Sequence, residues 1–210
     1  LLNNALNINI TSDLSFTTRL GLEYENSISD GFSPIIYAND RGSASNSTTY
    51  WNSFLNENVL TYSKNFDHSQ RLTVTGGFTY QTYMSRSAGI SVSGFTNNIT
   101  ENYNLGSAET VNPPSSGISE WQLVSGLGRV NYSIWDKYYV TASLRSDGSS
   151  RFGKDNKWGI FPSGALAWRV SEERFMRENV KFIDNLKLRA SYGITGNTAL
   201  SPYQSLDRMS

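Results

Sequence analysis

The sequence predicts an all-β fold, an antiparallel stretch of transmembrane β-barrel wall, on three observations. Apolar and polar residues alternate with period two along several stretches, as half-exposed strands do. The connections between these stretches come in a short and a long kind that take turns along the chain. Aromatic residues gather near the ends of the stretches, where a membrane barrel carries its interfacial girdles.

Composition narrows the class. Of 210 residues, 38% are apolar and 17% charged, against about 45–50% and about 25% in ordinary soluble domains. Twelve Tyr, ten Phe and five Trp argue against disorder, which is poor in aromatics. The net charge is zero, so no basic excess exists to hold a nucleic-acid backbone. With no cysteine, disulfides and thiolate metal sites are excluded. No apolar run of about 18 residues is present, so no transmembrane helix is encoded. Barrel strands need only about ten alternating residues. The chain opens on Leu1, not Met, inside an alternating stretch, and is expected to be a piece of a longer protein.

About eight strands are predicted. Leu6, Ile8 and Ile10 oppose Asn7 and Asn9. Leu14, Phe16, Leu20, Leu22 and Tyr24 oppose Ser15, Thr17, Arg19, Glu23 and Glu25. A noisier strand covers 55–62. Leu72, Val74, Phe78 and Tyr80 oppose Arg71, Thr73, Thr75, Thr79 and Gln81. Val124, Val130, Tyr132 and Ile134 oppose Ser125, Arg129, Asn131 and Ser133, with Leu123 and Leu127 breaking the rule. Tyr138, Val140, Ala142 and Leu144 oppose Thr141, Ser143 and Arg145; Leu166, Trp168 and Val170 oppose Ala165, Ala167 and Arg169. Leu186, Leu188, Tyr192 and Ile194 oppose Lys187, Arg189, Ser191 and Thr195. The apolar, even-numbered side is expected to meet lipid and the odd side a wet lumen.

Short turns are expected at 11–13, 66–70 and 135–137, and long loops at 29–49 and 85–120, with a lesser one at 147–157. The connection 171–184 reads as a short helix with Ser171 as N-cap and Glu172 and Glu173 in its first turn. A soluble sandwich or propeller also alternates. The one-sided long loops and the Arg and Glu on the polar faces favour the barrel.

Four motifs go beyond pattern: RSDGSSRFG (145–153), KWGIFPS (157–163), AWRVSEE (167–173) and LKLRASYGITGN (186–197). Together they resemble the SusC/RagA family of TonB-dependent outer-membrane transporters. The resemblance implies a 22-stranded barrel, of which this chain supplies part of the wall, with the plug domain and remaining strands outside it. It implies import of oligosaccharides or peptides, a SusD-like surface lipoprotein as partner, and the TonB complex as energy source. The motif residues Arg145, Asp147, Gly148, Arg151, Phe152, Gly153, Trp158, Pro162, Gly193, Gly196 and Asn197 are assigned to architecture. Asp147-Gly148 reads as a turn. Arg145 and Arg151 are expected to reach carboxylates such as Asp155. Pro162 marks a bulge or the start of pairing, and Gly159 and Gly164 a close approach of plug or loop backbone.

Catalytic chemistry finds little support. His68 is the lone histidine and falls in a short turn, so neither a hydrolase triad nor a zinc site can be assembled. No cofactor is implied. Gly126-x-Gly128 lacks the third glycine and helix of a nucleotide loop. Cargo contact is expected from loop aromatics set among Asn and Ser, namely Tyr37, Tyr50, Trp51, Tyr83, Phe95, Tyr103 and Trp121. Flat rings beside amides suit sugar faces and peptides alike. The competing expectation is a complete eight-stranded barrel acting as anchor or adhesin. It is disfavoured by the absent leader and by the loop-like tail 198–210.

Overall fold

In a computed structural model of the chain, the described residues are 1–67, 69–153, 157–180, 182–196 and 201–203. They form β1 (Leu2–Asn9), β2 (Leu14–Ser33), β3 (Ser43–Asp67), β4 (Gln70–Ser93), β5 (Thr110–Val111), β6 (Ser115–Ile134), β7 (Tyr138–Ser149), β8 (Trp158–Arg169) and β9 (Lys187–Gly193). One antiparallel sheet takes them in chain order, except that the two-residue β5 pairs only with β4. Among the described residues no helix is long and apolar enough to cross a membrane.

The alternation is realised as expected. Large even-numbered apolar residues are exposed on every strand but β5: Leu6 and Ile8, Leu20 and Leu22, Leu60 and Tyr62, Val74 and Phe78, Val130, Val140 and Leu144, Ile160 and Leu166, Leu188 and Tyr192. Register makes the stripe continuous. Val140 lies opposite Tyr132 on one side and Leu166 on the other, and Trp168 lies opposite Leu188. An apolar surface of this extent marks contact with another apolar phase. The odd face is polar. Thr17 donates to Asn7 (2.8 Å), Arg19 meets Glu57 (3.0 Å), Thr141 donates to Asn131 (2.9 Å) and Ser143 pairs with Ser163 (2.7 Å).

Short turns follow local chemistry. Thr11 Oγ1 accepts the backbone N–H groups of Asp13 and Leu14, at 3.2 and 3.1 Å. Trp135 and Asp136 both take positive φ, 55° and 52°, between Ile134 and Lys137, whose N–H closes the turn at 3.0 Å. This twist suits a two-residue hairpin but strains side chains other than glycine. Trp135 is held there by its N–H bond to the Ser69 carbonyl and by its ring edge on Tyr138, 6.2 Å between centroids.

The strands outrun the sequence expectation. β3 has 25 residues and β4 has 24, so the long loops shrink to 34–42 and 94–114. Beyond the apolar run both faces turn polar and the alternation fades, but cross-strand bonds continue, as between Asn46 and Asp30 (2.6 Å).

The chain divides into two compact units. The first holds 22–54 and 82–120 and has a small core of Ala44, Val92 and Phe95, with Phe32, Ile35, Ile90, Leu105 and Ala108 packed on it. Its loops are internally satisfied. The Asn98 amide bonds both backbone groups of Ile35 (2.8 and 3.0 Å), and Asp40 Oδ2 accepts from the N–H groups of Ile36 and Tyr37. Gly94, at φ 86°, donates to the carbonyls of Arg41 and Gly42. The second unit holds 2–21, 55–81 and 121–210, and includes the ladders from β6 to β9.

Two expectations are corrected, the Asp147-Gly148 turn and the Ser171 cap. Asp147 and Gly148 make no turn; both lie within β7, opposite Gly159 and Trp158 of β8, and Gly148 leaves room for the Trp158 ring, whose atoms a Cβ would meet at 3.0 Å. Within this chain Gly159 adjoins the Phe161 ring, and the space beside Gly164 is open to ordinary contact. Of the two readings of Pro162, the start of pairing is the one the register bears out, with no bulge against β7. The Pro162 carbonyl accepts from Ile194 N–H (3.0 Å), so its donor-less nitrogen faces the β9 side, where that ladder starts at Ser163 and Gly193. Ser171 caps no helix: it sits in a 3-10 turn, Val170–Glu172, and the helix α1 is Arg174–Asn179, preceded by Glu173. His68, Asp155, Asn197 and most of the tail lie outside the described residues.

Candidate functional site

The aromatic residues singled out in the sequence separate by face. Trp51 on β3 and Tyr83 on β4 are odd-numbered and share the polar side. Their rings stack, with centroids 5.9 Å apart and planes at 28°. Trp121, also odd, lies within β6, and the Arg151 guanidinium rests 4.4 Å from its ring centroid. Tyr37 and Tyr103 are the two true loop aromatics of the set, 75% and 87% exposed.

Two of the set are placed differently. Tyr50 is even-numbered and lines a shallow outward groove with Thr48, Arg86, Ala88 and Ile118. Phe95 is buried, its ring edge-on to Phe32 at 5.7 Å. It holds the loop core of Ala44 and Val92 together. Tyr50, Trp51, Tyr83 and Trp121 stand on strands and not in loops.

The motif residues form a second constellation on the odd side. Arg145 Nε reaches both oxygens of Asp147 at 2.8 Å, and its Nη2 donates to Ser125 Oγ at 3.0 Å. Charge-assisted bonds of this kind fix the guanidinium firmly. Ser150 is tied to Gln122 by two bonds, from its N–H to the Gln122 carbonyl (3.0 Å) and from Gln122 N–H to its hydroxyl (2.9 Å). Arg151 N–H donates to Ser149 Oγ and Phe152 N–H to the Ser149 carbonyl, so 149–152 turns tightly above β7. Gly153 has open space around it. Gly193 lets β9 approach β8, since a Cβ there would meet Ser163 Cβ at 2.9 Å. Gly196 adjoins the Phe161 ring.

A third cluster escaped the sequence reading. The Glu173 carboxylate accepts from Tyr138 Oη (2.5 Å), Trp168 Nε1 (3.1 Å) and Lys137 Nζ (3.3 Å). Donation from the Tyr138 hydroxyl, then from the Trp168 indole, holds the Glu173 carboxyl below the usual carboxylate range. Its neighbour Glu172 pairs with Arg177 (2.7 Å) and Arg169 (3.4 Å). Two adjacent acids before a helix signal only its positive end. The Tyr138 and Trp168 partners of Glu173 lie on β7 and β8 and leave no trace in the local pattern.

Comparison with known proteins adds the family. The TonB dependent receptor-like, beta-barrel family model matches residues 2–206. TonB-dependent receptor P3 of Formosa agariphila is 38% identical over 200 residues, covering 94% of this chain and 20% of the relative. TonB-dependent receptor SusC of Bacteroides thetaiotaomicron is 54% identical over 74 residues, 35% of this chain and 7% of SusC. Among solved structures, the RagAB peptide transporter superposes with a TM-score of 0.87 at 24% identity, covering 95% of this chain and 22% of that one. That likeness speaks for the fold. The chain thus spans about a fifth of the length of relatives such as receptor P3.

Proposed function

The chain belongs to the TonB-dependent receptor-like β-barrel family, and from that premise we propose that it forms part of the barrel wall of an outer-membrane nutrient importer. The observation that carries this is the division of the strands into an exposed apolar even face and a hydrogen-bonded polar odd face. The even face meets outer-membrane lipid, and the odd face lines a wet lumen. The plug and the other strands belong to the rest of the protein. The TonB complex energises transport through those parts, and a SusD-like lipoprotein pairs with the outer surface.

Cargo is an oligosaccharide or a peptide. Its contacts in this chain are the stacked Trp51–Tyr83 pair on the lumen side and the loop rings of Tyr37 and Tyr103. Stacked rings present a flat, rigid platform with a hydroxyl at its edge, which suits a sugar face or a peptide side chain. Trp121 is pinned under Arg151 and contributes shape to the same wall.

The test compares full-length transporters carrying Trp51→Ala with Tyr83→Ala, Tyr37→Ala with Tyr103→Ala, or Tyr50→Ala. Loss of ring contacts worth about 0.5–1.5 kcal/mol lowers cargo binding by roughly two- to tenfold in the first two, and leaves Tyr50→Ala unchanged. Normal barrel assembly with undiminished binding and uptake in both double variants places the cargo site elsewhere.

A further inference from the structure

The connection between β8 and β9 does more than join them. We propose that α1 and the residues around it form an interfacial foot, lying outside the wall on the inner-leaflet headgroups of the outer membrane. This rests on the reading that the even face meets lipid.

Placement comes from Glu173. Its carboxylate is bonded to Tyr138 and Trp168, both even-numbered and both at the short-turn end of the wall, where Tyr138 pairs with Trp168 and Trp168 with Leu188. A side chain that reaches these two polar tips stands at the outward rim of the wall, while Lys137 and, through Glu172, Arg169 tie the same segment to the end of the strands. The start of α1 is therefore tethered to the rim of the apolar band, and the foot is continuous with the lipid-facing surface. A shallow apolar groove lined by Val140, Leu166, Trp168, Leu188 and Ala190 runs up the same face beside it.

The chemistry of the foot fits an interface. Met176 and Val180 are half-buried, while Phe175 is 53% and Phe182 85% exposed. Neither ring contributes to a core. The charges around them are mutually paired, Arg174 with Glu178 (2.7 Å) and Arg177 with Glu172 (2.7 Å). One exposed aromatic ring on the short helix and a second just beyond it, among paired charges, favour the acyl–headgroup boundary over bulk water.

The experiment uses the full-length protein in phospholipid bilayers, with any cysteine outside this chain replaced; this chain has none. Spin labels at Phe175→Cys and Phe182→Cys are read by collision with oxygen, which concentrates in lipid, and with a water-soluble nickel complex. References are Leu188→Cys on the apolar face and Asp136→Cys in a short turn. The foot predicts that 175 and 182 show an oxygen-to-nickel ratio above that of 136 and below that of 188. Nickel access at 175 and 182 equal to that at 136, with 188 shielded, overturns the foot and leaves the wall assignment intact. Labels at 175 and 182 that neither reagent reaches overturn it in favour of contact with protein. A nickel-accessible label at 188 overturns the lipid-face reading itself.

Discussion

Glu173 shows how much one residue organises when its partners come from separate strands. Its lowered pKa, caused first by the Tyr138 hydroxyl and then by the Trp168 indole, has a definite consequence for stability. A carboxyl whose folded pKa lies below its unfolded value stabilises above the ordinary carboxylate range, and that contribution is lost as pH falls through the lowered value. Acidifying the folded transporter in detergent is expected to lower its melting temperature through this window. Glu173→Gln is expected to be less stable at neutral pH and to lose less on acidification. Parallel melting curves across pH for the two proteins sink the assignment. The sequence reading put the cap at Ser171 because a hydroxyl before two acids is a strong local signal. Three bonds from Lys137, Tyr138 and Trp168 outweighed it. Gly148 was misread for a similar reason: Asp-Gly is a turn signal, but here the glycine makes room for the ring of Trp158 across the ladder.

At the scale of the strand, the sequence was legible as far as the apolar run extended. Leu14 to Tyr24 and Tyr138 to Leu144 announce their faces residue by residue, because a hydrocarbon phase on one side enforces the alternation. Past Tyr24 on β2 come Asn26 and Asp30, and the opening of β3 is rich in Ser, Asn and Thr. With water on both faces nothing enforces a period of two, so a paired strand reads as a polar loop. That is why Tyr50, Trp51, Tyr83 and Trp121 were expected in loops and stand on strands, and why the parity that separates Tyr50 from Trp51 became useful only once the strands were known. The two faces make a sharp stability prediction on β9. Leu188→Arg is expected to cost about 2–4 kcal/mol near the bilayer midplane, whereas Arg189→Glu, on the lumen side, is expected to cost far less. Equal losses, measured by unfolding in lipid vesicles, contradict the assignment of faces.

Among the described residues of the whole chain, the hydrogen-bonded order has two ends, β1 and β9. Each presents backbone groups that a closed barrel pairs and that hydrocarbon cannot satisfy. The 210-residue segment expressed by itself is therefore expected to aggregate or to require detergent. A monodisperse monomer in plain buffer with one cooperative thermal transition contradicts a partial barrel. The motif-bearing last third foretold the family from sequence because its residues make specific pairwise fits, such as Arg145 with Asp147 and Gly193 with Ser163. The first 120 residues foretold only a style of strand, since their loop core depends on Phe32, Val92 and Phe95 meeting from distant positions.

The unbroken registers of β6 through β9, in which Tyr132, Val140, Leu166 and Ala190 stand in one row, give the wall something like a reading frame with a word length of two. Removing Thr141 alone sends every later side chain of β7 to the opposite face, putting Ser143 and Arg145 against lipid and Leu144 into water. Removing Thr141 together with Ala142 shortens the strand and keeps each survivor on its own side. Changes of length within such strands are tolerated in steps of two.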